Sequence, residues 1–125
     1  MTDQLRPPFY DIQQRIHEWA ENVFGSANHP YPLYDRIKDE LDELKEELQI
    51  HGVQQTVHSI QVLPSVKSAV AKECADVAIT LFRFCGALGI DLLHEVEKKQ
   101  DVNESRRWVA RGDGTGKHIK NEEGV

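Results

Sequence analysis

The chain has 125 residues, of which 39% are hydrophobic, and a formal net charge of −6 at pH 7. This length predicts one domain with a single core, and the acidic balance without a basic run argues against a nucleic-acid partner. Since no apolar stretch reaches transmembrane length and the start MTDQLRPP does not resemble a signal peptide, we expect a cytoplasmic protein with no membrane partner.

Helical periodicity begins near the N-terminus. Pro7 and Pro8 are expected to open a first helix over residues 9–24. Its apolar face consists of Phe9, Ile12, Ile16, Trp19, Ala20 and Val23. Gly25 ends this helix, and the segment GSANHPYP that follows is predicted to be a loop because of its composition.

A second helix is predicted over residues 33–50, and its charged residues fall into two groups. The apolar arc contains Leu33, Ile37, Leu41, Leu44 and Leu48. Opposite this arc, a solvated face contains Asp39, Asp42 and Glu46. A second acidic row, along one edge of the arc, contains Glu40, Glu43 and Glu47. Solvation does not account for this second row, because it borders the stripe that faces the core.

Residues 51–65 are compatible with a loop, a short helix or an extended arm. Ser65 is predicted to cap the next helix, residues 66–88, with Gly89 as its C-cap. This helix is apolar around most of its circumference, so we expect it to be buried. One chain offers too few other helices to cover it, which predicts a homodimer or a dimer of dimers. The cysteines expected as reduced core residues are Cys74 and Cys85, whose spacing matches no zinc or redox motif.

A polar seam interrupts this apolar helix. It consists of Glu73, Asp76, Thr80 and Arg83. A buried carboxylate is costly unless it is paired or bound to a metal. Glu73 and Asp76 could pair with Arg83 or with lysines elsewhere, but one local salt bridge satisfies Asp76 and leaves the second acidic row without a partner. If the helix packs antiparallel to the acidic helix, the seam meets the second acidic row. A cluster with oxygen ligands alone favours Mg²⁺, or Mn²⁺, over zinc.

Asp91 is predicted to cap a last main helix that ends near Trp108. The stripe that begins with Leu92 and Val96 continues as Lys99, Asn103 and Arg106 or Arg107. These polar residues either extend to solvent beside the helix dipole or bind phosphate, which a neighbouring metal cluster favours. The Gly-rich segment of residues 111–125 is predicted to be a polar tail ordered by a ligand or partner, so the domain covers residues 1–110.

These motifs resemble those of the all-α nucleoside triphosphate pyrophosphohydrolases, the MazG-like superfamily that includes dCTP pyrophosphatases and dimeric dUTPases. The family order of two acidic pairs and a K-x-x-x-N element is met by Glu40 and Glu43 (ELDE), Glu73 and Asp76 (ECAD), and Lys99 and Asn103 (KQDVN). The stretches ADVAITLFRFCGALGIDL and NESRRW are also similar to the family's sequence. The resemblance covers roughly residues 9–110, and Thr80 stands where the family often has tyrosine.

The resemblance implies an all-α MazG-like bundle of four main helices, with one possible extra short helix, assembled as a dimer or tetramer. It implies Mg²⁺-dependent hydrolysis of a nucleoside triphosphate, a dNTP or a modified NTP, to the monophosphate and pyrophosphate. The expected metal ligands are Glu40, Glu43, Glu73 and Asp76, and Glu43 is favoured as the residue that orients or deprotonates water. The expected phosphate contacts are Lys99, Asn103, Arg106 and Arg107.

The first helix offers His17 and Phe24 as contacts for the base, whereas we expect Trp19 to pack in the core. The sequence does not decide whether Glu47 belongs to the metal site. Two other functions stay open: a related metal-dependent enzyme for a diphosphate or damaged nucleotide, and a non-catalytic helical module whose acidic rows bind a basic partner. The module requires acids on a solvent face, but Glu73 and Asp76 interrupt a helix that we expect to be buried.

Overall fold

The computed structural model describes the backbone of residues 8–51 and 56–120, and the side chains from residue 12 onward within these ranges. The described helices are α1 (Pro8–Phe24), α2 (Pro30–Ile50), α3 (Val57–Val62), α4 (Pro64–Ala87) and α5 (Leu92–Ser105). Two strands follow, β1 (Trp108–Ala110) and β2 (Gly116–His118). The predicted four main helices and one short helix are confirmed, and the small sheet is an addition that the sequence did not predict. The chain divides into two units, Met1–Asp91 and Leu92–Val125.

Proline begins α2 and α4 earlier than the periodicity predicted. α2 starts at Pro30, so the last three residues of the predicted loop GSANHPYP are helical. Pro64 occupies the first turn of α4, and Leu63, which makes no side-chain cap, takes the N-cap position predicted for Ser65. The first N–H groups of a helix have no partner within the helix, so a proline without an N–H is tolerated there.

Local hydrogen bonds define the ends of α3 and α4. At the start of α3, Ser59 N donates to Thr56 Oγ1 at 3.0 Å and Thr56 N donates to Ser59 Oγ at 2.8 Å, which is a capping box. α4 ends at Ala87 with Leu88 as its C-cap, and Gly89, predicted to be the C-cap, follows it with a φ of +71° that L side chains rarely adopt. Ile90 N then donates to Cys85 O at 2.8 Å, as in a Schellman motif.

The first unit is built by packing α1 and α2 against α4. The buried apolar side chains in the described chain are Ile16, Ala20, Val66 and Cys85. Apolar residues that are 38–48% exposed on α2, on α4 and at the C-cap of α4 are Leu41, Leu48, Ile79, Leu81 and Leu88. The expectation that α4 is buried is therefore wrong for the single chain. The helices that pack against α4 in this chain are too few to surround it.

Both cysteines are free thiols, as predicted. Cys85 is buried, but Cys74 is exposed, so its expected place in the core is wrong. The reason is that the other helices cover only part of the circumference of α4. The side chain of Phe9, expected on the apolar face of α1, lies outside the described ones.

In the second unit, α5 ends at Ser105 rather than near Trp108 because the chain turns there into β1. Trp108 Nε1 donates to the carbonyl oxygen of Asn103 at 2.7 Å, which satisfies one of the last carbonyls of the helix. β1 pairs with β2 in antiparallel register, with Trp108 opposite His118. At the turn, Asp113 Oδ1 accepts hydrogen bonds from Thr115 N at 2.9 Å and from Thr115 Oγ1 at 2.6 Å.

Residues 111–120 of the segment predicted as a polar tail form part of a hairpin, whose turn is closed by hydrogen bonds between Asp113 and Thr115. Residues 121–125 of that tail lie outside the described residues. The predicted boundary at residue 110 stays a prediction. Among the described residues, no single helix is both long and apolar enough to span a membrane, and α4 and α5 reach that length and composition only when taken together across the turn between them.

Candidate active site

Three carboxylates converge where α2 packs against α4. One oxygen each of Glu40, Glu73 and Asp76 lies within 4.8 Å of the others. Glu40 belongs to α2, whereas Glu73 and Asp76 are three residues apart on one face of α4. The structure thus brings together three of the four predicted metal ligands, and their role as ligands stays a prediction.

Burial within the cluster differs from what the sequence suggested. Glu40 is the buried member, with 6% exposure, whereas Glu73 is half-buried and Asp76 is exposed. The expectation that both α4 carboxylates are buried is wrong, because α4 is covered on only part of its circumference and Asp76 lines an open cavity. With both Glu40 and its neighbour Glu43 charged, Glu40 Oε2 is buried without a hydrogen-bond partner among the described residues. A buried anionic oxygen without a partner is costly, so the donor set fits a hard divalent cation.

Glu43 and Glu47 add negative charge beside the cluster. A proton shared with Glu43, followed by burial and by the charges of Glu43 and Asp76, raises the pKa of Glu40 to about 7. Burial and the charges of Glu43, Asp76 and Glu47 raise the pKa of Glu73 as well. Glu43 is exposed, and Glu47 lies with Oε1 2.9 Å from His51 Nε2. The repulsion among these acids is what a bound divalent cation would relieve.

Arg36 is the cation that contacts the cluster directly, and sequence reasoning missed it. Its Nη2 donates to Glu40 Oε1 at 2.6 Å, and its Nη1 donates to Asp39 Oδ2 at 3.1 Å. The available signal was its spacing of three and four residues from these acids, which lie on its side of the helix. This pair satisfies one oxygen of Glu40 and leaves the other without a partner.

Arg83 does not pair with the α4 carboxylates. Its Nη1 donates to Glu21 Oε2 at 2.5 Å, and its Nη2 donates to the carbonyl oxygen of Gly25 at 3.1 Å. Ser26 Oγ and Arg83 both hydrogen-bond to Glu21, which lowers the pKa of that carboxyl. The alternative in which Arg83 satisfies Asp76 is therefore not supported, since the guanidinium ties α4 to the end of α1.

A cavity of about 520 Å³ opens beside the cluster. Trp19 and Phe24 of α1 line it, with ring centroids 5.1 Å apart and planes at 83°. The expectation that Trp19 packs in the core is wrong, because it is 54% exposed on the cavity wall. Polar residues that line the same cavity are Ser26, Arg36, Glu40, Asp76, Thr80 and Arg83. Exposed aromatic rings facing a cavity can pack against a flat heterocycle.

His17 lies apart from this cavity. It lines a smaller space of about 200 Å³ and packs against Gly86, where an added Cβ would lie 3.1 Å from the His17 ring. Its Nδ1 is buried with no hydrogen-bond partner among the described residues. The structure therefore does not bring His17 together with Phe24 or the carboxylates, and its predicted contact with the base gains no support.

The predicted phosphate contacts lie in the second unit. Lys99 and Asn103 are on α5, and Arg106 and Arg107 follow its last residue. Asn103 is half-buried, and the other three are exposed. Burial and the positive charges of Arg106, Lys120 and Lys99 lower the pKa of His118.

Comparisons with known proteins identify the fold. No family model matches the chain. A dATP/dGTP diphosphohydrolase of Salmonella phage PMBT28 is 30% identical over 109 residues, which are 87% of this chain and 31% of that protein. The chain thus spans about a third of the length of this curated relative.

A solved structure extends this likeness to the fold. It is the cyanophage S-2L MazG-like pyrophosphohydrolase bound to dGDP and three catalytic Mn²⁺ ions per active site. It superposes with a TM-score of 0.65 at 19% identity, covering 94% of this chain and 99% of that one. The chain has the all-α MazG-like fold, and the resemblance recognised in its motifs is confirmed.

Proposed function

We propose that this protein hydrolyses a nucleoside triphosphate to the monophosphate and pyrophosphate, with Mg²⁺ or Mn²⁺ as its cofactor. The observation that carries the proposal is the convergence of Glu40, Glu73 and Asp76 within 4.8 Å at the edge of a cavity of about 520 Å³. The phage relative is named for dATP and dGTP, and the solved MazG-like enzyme holds dGDP and Mn²⁺. These names favour a purine deoxynucleoside triphosphate as the substrate.

The carboxylates of Glu40, Glu73 and Asp76 would hold the cations. When bound, such cations neutralise the charge of the phosphates and activate water. Glu43 lies beside Glu40 and is exposed, and we assign its carboxylate to orient or deprotonate the attacking water. Its side chain then takes the proton of the nucleophile while the other carboxylates stay charged.

The cavity has the size and lining expected for the base and sugar. Its volume lies within the range of small-molecule sites, roughly 300–1,000 Å³. Trp19 and Phe24 provide aromatic surface for the base, and Arg36 provides hydrogen-bond donors at the same wall. The phosphate oxygens are assigned to Lys99, Asn103, Arg106 and Arg107, whose charged and amide donors suit them.

Assembly as a homodimer or a dimer of dimers belongs to the same proposal. The half-exposed leucines and isoleucine of α2 and α4 support it, because an apolar surface of this kind is uncommon on a monomer. A second copy would cover the α4 surface that one chain leaves exposed.

A non-catalytic module that binds a basic partner is less well supported. Such a module requires its acids on solvent-facing surfaces, whereas Glu40 is 6% exposed and has an oxygen without a partner. This burial favours a bound cation over a protein partner.

A nucleotide panel tests the proposed function. Pyrophosphate release is measured for canonical and modified nucleotides with Mg²⁺, Mn²⁺ or EDTA. We expect metal-dependent release by the wild type and its loss in Glu73→Gln. Glu46→Gln on the exposed face of α2 is the matched control and should retain activity. Full Mg²⁺-dependent activity in Glu73→Gln would contradict the assigned site.

A further inference from the structure

Arg36 places the two oxygens of the buried Glu40 carboxylate in different environments. Its Nη2 donates to Glu40 Oε1 at 2.6 Å, since the two residues lie one helical turn apart on α2. When Glu40 and Glu43 are both charged, Glu40 Oε2 is buried without a hydrogen-bond partner among the described residues. The carboxylate is therefore held at one oxygen and left unsatisfied at the other.

A second contact orients the guanidinium of Arg36. Its Nη1 donates to Asp39 Oδ2 at 3.1 Å, so the two Nη groups contact two different carboxylates. The guanidinium is planar and its N–H groups point in fixed directions, which restricts where Glu40 Oε1 can lie once Asp39 is engaged. The side chains of Arg36 and Asp39 are each 58% exposed, so their pair contributes little to stability. Its effect is on geometry.

Glu40 is the member of the carboxylate cluster that comes from α2. One oxygen each of Glu40, Glu73 and Asp76 lies within 4.8 Å of the others, and the latter two belong to α4. A glutamate side chain has several rotatable bonds, and ordering it when a cation binds costs conformational entropy. A side chain that a hydrogen bond already holds in place avoids much of this cost. Arg36 thus preorganises the α2 side of the cluster.

The arrangement matches the support that carboxylate ligands of metal ions usually have. Such ligands commonly accept a hydrogen bond from a neighbouring group that does not touch the metal, and removal of that group weakens metal binding roughly 10–100-fold. Because Arg36 occupies Oε1 of Glu40, it is Oε2 that stays open for a cation.

The positive charge of Arg36 acts in the opposite direction. A cation beside a metal site repels the metal ion, so removing the charge alone would tighten metal binding. Water and salt screen this repulsion, since the Arg36 side chain is 58% exposed. Support and repulsion therefore predict changes of opposite sign when Arg36 is replaced.

We propose that Arg36 is a positioning residue of the metal site, which holds Glu40 Oε1 so that Glu40 Oε2 faces a divalent cation. Binding of a cation by these carboxylates rests on the proposed function, whereas the hydrogen bonds of Arg36 belong to the structure itself. Arg36 lies one turn before Glu40, the first residue of the acidic pair ELDE, so this role adds a residue to those that the motifs indicated.

The test measures binding of Mn²⁺ to the full chain without nucleotide. Electron paramagnetic resonance of free Mn²⁺ gives the dissociation constant independently of hydrolysis. Arg36→Met removes the charge and both hydrogen bonds, whereas Arg36→Lys keeps the charge and loses the forked group that contacts Asp39 and Glu40 together. Lys38→Met is the matched control, because Lys38 is an exposed cation of α2 that does not line the cavity.

We expect Arg36→Met to raise the dissociation constant for Mn²⁺ at least about tenfold. Arg36→Lys should also weaken binding, and Lys38→Met should change it less than about twofold because its charge is exposed. A dissociation constant for Arg36→Met at or below the wild-type value would show that repulsion dominates and would overturn the positioning role.

Two further results would also overturn this role: equal weakening by Arg36→Met and Lys38→Met, or wild-type affinity in Arg36→Lys. If circular dichroism shows that Arg36→Met does not fold, Arg36→Lys decides alone by the same criterion. A wild type that binds no Mn²⁺ without nucleotide would contradict a preorganised site.

The outcomes separate this role from the proposed function. If Arg36→Met and Arg36→Lys alone weaken Mn²⁺ binding but the wild type hydrolyses no nucleotide, the positioning role stands and the proposed function fails. If the wild type hydrolyses nucleotides and both Arg36 variants bind Mn²⁺ like the wild type, the function stands and the positioning role fails.

Discussion

Replacing Glu40 with glutamine is expected to stabilise the metal-free protein while abolishing its activity. Glu40 is 6% exposed, and a proton shared with Glu43, burial and neighbouring negative charges raise its pKa from 4.5 to about 7. A carboxyl group whose pKa is raised by folding destabilises the fold in its charged form. At about 1.4 kcal/mol for each unit by which the folded and unfolded pKa values differ, this penalty amounts to about 3 kcal/mol at pH 8.

The direction of the pH dependence follows from the raised pKa. Below pH 4.5 Glu40 is protonated in both the folded and the unfolded chain, so it carries no penalty. The penalty grows as the pH rises through the interval from 4.5 to about 7 and is complete above it. Wild-type protein should therefore lose about 3 kcal/mol of unfolding free energy through this residue between pH 4.5 and 8. Glu73, whose pKa is also raised, adds a loss of the same sign.

Urea unfolding in EDTA, followed by circular dichroism at pH 5 and pH 8, measures this difference. Glu40→Gln should be more stable than the wild type at pH 8 and should show a smaller loss between the two pH values. Asp42→Asn, an exposed acid on the same helix, is the control and should keep the wild-type dependence. A Glu40→Gln protein with the wild-type pH dependence, or with lower stability at pH 8, would refute the reasoning.

Further predictions concern the cavity, the ion pair between Arg83 and Glu21, and the oligomeric state. Trp19→Ala should raise KM for dGTP about tenfold with a smaller change in kcat, because stacking of a base on an aromatic ring is worth roughly 1–3 kcal/mol. A variant with the wild-type KM would exclude Trp19 as a base contact. Arg83→Met should lower the midpoint of thermal unfolding by removing the tie between α4 and the end of α1, and an unchanged midpoint would show that this pair contributes nothing. Light scattering should show a dimer or tetramer at micromolar concentration and a smaller species for Leu81→Glu on the exposed face of α4, whereas a stable wild-type monomer would contradict the proposed assembly.

The sequence predicted those features that depend on local periodicity. The bounds of α1 and α2 follow from apolar spacing to within three residues, and Gly89, which directly follows the C-cap of α4, marks the end of that helix because a positive φ is needed there. The convergence of Glu40 with Glu73 and Asp76 could also be anticipated, because both rows border stripes that must pack on other helices.

Features that depend on contacts between residues far apart in the sequence could not be predicted from the hydrophobic periodicity. Arg83 lies on the polar seam of α4, but its partner Glu21 is 62 residues away and shares no helix with it. Trp19 matches an apolar stripe, yet that part of the stripe lines a cavity. The hairpin was missed because its strands are three residues each, too short for a period-two pattern to be recognised.

Hydrolysis of dGTP in ¹⁸O-labelled water with Mg²⁺ is the measurement that tests the central claim most directly. Attack at the α-phosphorus forms a bond to the labelled oxygen there and releases pyrophosphate as the leaving group. The proposed function predicts label in dGMP and none in pyrophosphate, with no turnover in EDTA. Labelled orthophosphate as the primary product, with dGDP left over, would contradict it even if the carboxylates bind metal.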